Sequence, residues 1–536
     1  MNNILTALVM LSLPMQISFS QDGSQHILDV RHFGAKGDGN ALDTKAIQRA
    51  VDSCGVSGGI VVFPPGRYLT GSIELRSNVA IEIQRGATIF GSPSIADYFE
   101  RVPALKSYNN SFQRHSLLYA ERQKNISIFG DGTINGQGSN FKVLTKERPA
   151  RYMNRPYVIR FVECTNVSIR DITMESSGSW MQHYLACDGL MLRGLKVMNH
   201  ANLNNDMMDI DGCRNVVISD CTGDTDDDAI TLKSTSERVT QNVTITNCIL
   251  SSHCNGIKAG TESTGGFRNI TVNNVIIRPS VEKNVRSGEP GGISGISLEV
   301  VDGGTMEEVA ISNVVIDGPD VPIFVRLGNR GRKHWEGAEK PGIGSMRNIS
   351  LNHIEAHNVK WTGCSITGLP DHQIDGITLS DIRISYPGGV ESMPDVAPAE
   401  LPEQYPEATM WGTLPSYGLF VRHVRNLHVR GLEMSTSTAD MRPAMVFADV
   451  VESSILDSHF QMSAANMSAI VLNGVNGLTM SGSGLRGTAQ SLLKLVGEGC
   501  SAIVVTGNAL RAASQVCDPP AALGSVVRAS NNDMKR

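Results

Sequence analysis

The chain has 536 residues, a formal net charge of -6, 53 glycines and only 5% aromatic residues. That balance lacks the basic stripe of a nucleic-acid binder, and past the amino terminus no apolar run reaches the length that crosses a membrane. Abundant Gly, with Asn, Ser and Thr recurring at strand edges, points to many short strands joined by tight turns.

Residues 1–20, MNNILTALVMLSLPMQISFS, carry an apolar stretch from Ile4 to Met15 followed by Ser18-Phe19-Ser20. Small residues at the two positions a signal peptidase reads predict a leader cleaved after Ser20 and a mature protein that is secreted or periplasmic. Ten cysteines follow, none in a C-x-x-C pair, and most sit beside apolar strand residues. They read as small buried hydrophobes, with no disulfide assignable and no metal site or cofactor expected.

The stretch from 29 to 83 opens with FGAKGDG and then Asp43-Thr44. Ala46, Ile47, Ala50 and Val51 follow at helical spacing, so a short amphipathic helix is expected there. Strands are expected over 60–63, 72–75 and 79–83, punctuated by Pro64-Pro65-Gly66 and Ser77-Asn78. A helix ahead of stacked coils would cap the open end of a solenoid.

From there one phrase recurs: Asn, an alternating apolar strand, a polar turn and a second apolar strand. It reads NISIFGDGTI at 125, NVSIRDITM at 166, NVVISDCT at 215, NVTITNCIL at 242, NITVNNVII at 269, EVAISNVVI at 308, NISLNHIEA at 348, GITLSDIRI at 376 and NLHVRGLEM at 426. A unit that cannot bury its apolar face alone implies stacking, and this alternation implies a parallel β-helix. Asn at the same turn of successive coils can form hydrogen-bonded ladders. The sequons at Asn125, Asn166, Asn242, Asn269 and Asn348 are therefore read as partly buried turn residues rather than glycosylation acceptors. Insertions at 98–118, 138–157, 278–294, 328–343 and 387–417 are expected on the binding face. The fourth offers Arg330, Arg332, Lys333, His334 and Trp335 just after Arg326, a basic aromatic loop suited to an acidic sugar.

Within residues 204–234 stand Asp206, Asp209, Asp211, Asp220, Asp224, Asp226, Asp227 and Asp228. Asp206 and Asp227 lie 21 residues apart, about one coil, which would bring both carboxylates to one wall. Crowded carboxylates repel, so one keeps its proton near neutrality, and an acid and a base arise from two like side chains. The alternative is a solvated turn or a cation site.

Residues 29 to about 385 resemble glycoside hydrolase family 28, the polygalacturonase-like enzymes. The likeness rests on FGAKGDG with the following Asp43-Thr44, on NND at 204–206, on Asp227-Asp228 followed by AITLKS, and on GIKAGTES at 256–263 followed by GGFRNITV. It implies an all-β, right-handed parallel β-helix, one domain over 21–536 whose stretch past about 385 adds further coils. It also implies hydrolysis of pectin-type polysaccharide with inversion, by a monomer that needs no cofactor and binds neither nucleic acid nor membrane. Asp227 would protonate the leaving oxygen, while Asp206 and Asp228 hold and deprotonate water. Asn205, His253, Asn255, Lys258, Glu299 and Arg326 are the substrate-binding candidates.

Two positions depart from the family pattern. Its GHG histidine falls at Asn255, with His253 the nearest histidine; alternation would put both on one strand face, so that His253 either serves in its place or is an ordinary solvated histidine. Its R-I-K reads Ser297-Leu298-Glu299, a charge reversal that Lys258 or Arg326 would have to offset. A non-galacturonan glycan, an eliminating lyase on the same scaffold, and a non-catalytic glycan-binding β-helix remain open at this stage.

Overall fold

The computed structural model describes residues 26–145, 147, 150–394 and 397–534. The leader expected over 1–20 lies outside the described residues. Parallel pairings run coil upon coil from Ile27 to Met534, giving an all-β parallel β-helix.

Three walls make up each coil. One stacks Gln182–Leu185, Met208–Asp211, Ile230–Ser234, Asn255–Ser263, Ser294–Val300, Val321–Leu327 and Cys364–Thr367 in register. A second stacks Asp188–Arg193, Arg214–Ser219 and the first halves of the long strands Thr240–Ser252, Phe267–Ile277, Thr305–Asp317, Ser345–His357 and Ile374–Tyr386. The third holds Lys196–Asn199, Thr222–Thr225 and the second half of Thr240–Ser252. Past residue 436 the strands Met445–Leu456, Ile470–Ser481 and Ser501–Thr506 extend the second wall.

The recurrent Asn opens the second wall because the backbone there is left-handed. Asn125, Asn166, Asn215, Asn242 and Asn269 have φ between 54 and 58°, which Asn tolerates better than other L residues. Their amides form the anticipated ladder: Asn166 donates to Asn125 at 2.8 Å, Asn242 to Asn215 and Asn269 to Asn242 at 3.0 Å. The side chains are exposed, however, and not partly buried as expected. The ladder itself, one hydrogen bond per coil, holds them.

Alternation sends the other side chains inward. Val216, Val243, Ile270, Val309, Ile349 and Ile377 form one register column, and Ile218, Ile245, Val272, Ile311, Leu351 and Leu379 the next. Ile245 is fully buried between two neighbours of its own kind, and no coil can shift without losing register on both sides. We expect Ile245→Ala to cost about 2–5 kcal/mol, read as a lower urea midpoint. An unchanged midpoint would contradict the shared-core account.

Helix α1 (Thr44–Ser57) buries Ala46, Ile47, Ala50, Val51 and Cys54 at the amino-terminal end. Asp43 does not cap it through its side chain. Its carboxylate instead accepts the backbone N–H groups of Lys36 and Gly37 at 2.8 and 3.0 Å and so shapes the FGAKGDG loop. All ten cysteines are unpaired, nine of them buried.

Candidate active site

Register builds the site. Met208 pairs with Ile230 and Ile230 with Ile257, so two residues ahead of each stand Asp206, Asp228 and Asn255, one above the other. His183 pairs with Asp209, which puts Trp180 three residues ahead, in the same column as Asp206. The coil repeat thus aligns Asp206 with Asp228, not with Asp227, which sits one residue earlier in the turn.

Asp206, Asp227 and Asp228 line one cleft with Trp180, Lys233, Glu262, Tyr108, Tyr152, Arg332 and Tyr405. Tyr108, Tyr152, Arg332 and Tyr405 come from four of the five insertions, whose shared side was legible in the repeat. The fifth, 278–294, covers the back of the Asp226–Asp228 turn instead.

The three carboxylates stand in different surroundings. Asp227 is half-buried, accepting the Asp228 backbone N–H at 2.9 Å and the Asn204 amide at 3.3 Å. Burial and the adjacent Asp228 carboxylate push its pKa up to about 6, against the pull of Lys258 and Lys233. Asp228 receives two donors, the Asn255 amide at 2.6 Å and the Lys258 ammonium at 3.1 Å. Asp206 is buried with Oδ1 lacking a hydrogen-bond partner. Its burial, reinforced by the Asp209 and Asp227 carboxylates, lifts it well above the usual carboxylate range.

Behind this row, Lys233 lies 3.5 Å from Asp209 and 3.4 Å from Glu262, with its ammonium 4.7 Å over the Trp180 ring. Burial opposes a charge on Glu262, yet Lys233, Arg332 and Arg330 hold it well below its usual range. Arg332 closes the far side, 2.6 Å from Glu262 and 3.5 Å over the Tyr108 ring, joining two insertions across the rim.

The six substrate-binding candidates are placed differently from the expectation. Asn205 is fully buried; its side-chain amide donates to the Ser177 and Ser179 carbonyls and its backbone carbonyl accepts the Asp227 N–H, so it sets the turn and does not face the cleft. Asn255 and Lys258 are buried against Asp228 and position it. His253 is fully buried, with Nδ1 3.1 Å from Asp226 Oδ1, and is turned away under the 278–294 insertion; it neither replaces the missing histidine in the cleft nor sits in solvent. The chain bends at 253–254, which breaks the alternation on which a shared strand face depended. Arg326 gives its guanidinium to the Glu400 and Leu401 carbonyls and lies 5.2 Å under Trp411.

Glu299, the charge reversal, is sealed. Burial pushes its pKa up, against the pull of Lys258 and of the Ser297 hydroxyl that donates to it at 2.6 Å, and it does not confront the cleft. Sequence reasoning passed over Trp180, Lys233, Asp209, Glu262 and Tyr405 as site residues. Trp180 and Lys233 had a signal, since one shares Asp206's column on the preceding coil and the other pairs with Asp211 on the cleft wall. Tyr405 sits in an aperiodic loop and had none. Asp227, Asp228 and Cys254 bring one potential metal-ligand atom each within 4.8 Å, but the Lys258 ammonium already supplies a cation beside them.

Comparison with known proteins gives the family and the fold. Residues 60–400 match the family Glycosyl hydrolases family 28. The chain is 25% identical over 433 residues to a probable polygalacturonase of Vitis vinifera, covering 74% of this chain and 84% of that protein. It is 24% identical over 431 residues to an exo-poly-alpha-D-galacturonosidase of Dickeya chrysanthemi, covering 67% and 71%. Among solved structures, the fold is shared with the exopolygalacturonase of Thermotoga maritima, at a TM-score of 0.55, 20% identity and coverage of 67% of this chain and 87% of that one. It is also shared with a tailspike protein of E. coli bacteriophage HK620, at 0.58 and 14% identity, which covers 94% of this chain and 80% of that one. With three aspartates on stacked coils of one cleft and the family match running through all of them, the chain belongs to glycosyl hydrolase family 28 and is an O-glycosyl hydrolase of polygalacturonase type.

Proposed function

We propose that the protein hydrolyses pectin-type polysaccharide with inversion at the anomeric carbon. The observation that carries this reading is the split within the aspartate row: a half-buried Asp227 poised near pH 6 beside an Asp228 held by two donors. Asp227 gives its proton to the leaving glycosidic oxygen as the bond to the anomeric carbon breaks. A water oriented by Asp206 and Asp228 attacks from the opposite face and surrenders its proton to Asp228. Lys233 and Arg332 give the cleft cationic groups for a uronate carboxylate, and Glu299, buried away from the cleft, does not confront it.

Arg332 over Tyr108 favours a chain end over the middle of a polymer, because the joined insertions narrow the rim. The surrounding picture is one right-handed solenoid over 21–536, plugged by α1, exported through the 1–20 leader and acting as a monomer. Nearly all parallel crossovers are right-handed, which supports the handedness. No helix among the described residues is long and apolar enough to cross a membrane.

The test is digestion of homogalacturonan followed by proton NMR of the first anomer released and by chromatography of the products. Inverted monosaccharide appearing first supports the reading. Unsaturated products would favour elimination, and no product on any pectic or galactan substrate would favour a binding protein. The proton on Asp227 also sets a pH limit: kcat/KM is expected to fall about tenfold per pH unit above about 6, as the acid of the free enzyme loses its proton. A rate flat from pH 5 to pH 8 would remove Asp227 from that role.

A further inference from the structure

We propose that His200, Asp226 and His253 form a divalent-metal site of zinc type, which fixes the back of the turn carrying Asp227 and Asp228. It rests on hydrogen-bond accounting and is independent of the substrate. His253 Nε2 lies 3.2 Å from the carbonyl oxygen of Glu282, and a carbonyl only accepts, so Nε2 carries the hydrogen. His200 Nε2 lies 2.9 Å from Asp224 Oδ1, and the carboxylate fixes that nitrogen as the donor too. Each neutral ring therefore presents Nδ1 as a bare lone pair.

The His253 lone pair meets a third acceptor. His253 Nδ1 faces Asp226 Oδ1 at 3.1 Å, and that oxygen already accepts the Arg286 backbone N–H at 2.8 Å. His200 Nδ1 and Asp226 Oδ2 are both buried without any hydrogen-bond partner, and Asp226 is fully buried. The two imidazole rings are 5.1 Å apart, and one ligand atom from each of the three residues lies within 4.8 Å of the other two. His253 Nδ1 and Asp226 Oδ1, two acceptors without a hydrogen between them, repel one another. An added proton on His253 would satisfy one contact and leave His200 Nδ1 and Asp226 Oδ2 stranded. One cation satisfies all three.

The donor set selects the ion. Two imidazoles and a carboxylate suit zinc and its transition-metal neighbours, whereas calcium and magnesium take oxygen ligands. Second partners on both Nε2 atoms, a carboxylate and a carbonyl, are the arrangement that orients metal-binding histidines. The 278–294 insertion is tied down around the cluster. Arg286 Nε donates to the His200 carbonyl at 3.0 Å, Glu289 N–H to the His253 carbonyl at 2.7 Å, and Ser280 and Val281 bond to Asp224. This gives the one insertion that does not line the cleft a task, and it answers the sequence expectation of no metal with a buried, two-histidine site invisible to cysteine spacing.

The full-length protein, stripped with a chelator and reloaded with Co²⁺ or Zn²⁺, tests this. We expect about one ion per chain by mass spectrometry, visible Co²⁺ absorption of a low-coordinate nitrogen and oxygen site, and a higher Tm with metal. His200→Ala, at the least buried ligand, should weaken binding by about 100-fold or more, and the His200→Ala/His253→Ala pair should abolish it. Cys254→Ser should leave stoichiometry and spectrum unchanged, which separates this cluster from the Asp227–Asp228–Cys254 grouping. Should the double variant not fold, the single His200→Ala, checked by circular dichroism, decides alone. Wild type binding no more than traces of either ion, or His200→Ala binding like wild type, overturns the proposal.

Discussion

Replacing Asp227 by Asn is expected to lower kcat by a factor of about 10² to 10⁴ or more, the usual worth of general acid catalysis, with the fold intact. The substitution keeps the size of the side chain and one acceptor for the Asp228 backbone N–H at 2.9 Å, and gives up only the 3.3 Å contact with the Asn204 amide, so the turn should hold. It also removes a carboxyl group whose charged form burial and Asp228 disfavour, so Tm should hold or rise. The pairing of lost activity with kept stability is the informative result, because a misfolded variant would lose both. If Asp227→Asn retained a third or more of wild-type turnover, the acid would have to be sought elsewhere. Asp206 is the next candidate, since its pKa is also raised.

What the sequence conveyed and what it hid follow from the solenoid. Inward residues repeat with the coil, so the columns around Val243 and Ile245 and the Asn242–Asn215 ladder could be read from one phrase. The aspartate row was legible for the same reason, though the true coil step is 22 residues and aligns Asp228 with Asp206. Direction was not legible where the backbone bends. His253 and Asn255, two residues apart, share a strand face only if the strand is straight, and the bend at 253–254 sends them to different sides of the turn. Insertions carry no period, so the two carbonyls of 387–417 that hold the strand residue Arg326 could not be foreseen, and it read as a sugar ligand. Tyr405, from that same insertion, reached the cleft unseen. Nor does a charge in a sequence disclose its burial: Glu299 looked like a reversed sign facing a sugar and is enclosed instead.

The second large effect is expected at Lys258. Its ammonium stands 3.1 Å from Asp228 and 3.5 Å from the Tyr405 hydroxyl, with Glu299 and Glu407 also facing it. Burial works against its charge, yet Asp228, Tyr405, Glu299 and Glu407 together raise its pKa well above the usual lysine value. A raised lysine pKa contributes stability that is complete below the unfolded value and fades only as the pH climbs through the folded one, so the wild type keeps this contribution throughout the neutral range. Lys258→Met retains the aliphatic stem and deletes the cation, leaving a buried carboxylate unpaired. We expect a loss of about 3–5 kcal/mol at pH 8, the usual cost of removing one partner of a buried pair. The loss should shrink at pH 5, where the stranded carboxyl groups can take up protons. Glu407, already pushed up to about 8 by burial in the presence of Lys258, should rise further and take up a proton first. Hydrolysis should fall as well, because Asp228 loses one of the two donors that aim it at the water. Urea unfolding at the two pH values, run beside initial rates, separates the effects. Equal unfolding midpoints for Lys258→Met and wild type at pH 8 would mean that the pair contributes nothing and that Asp228 is held by Asn255 alone.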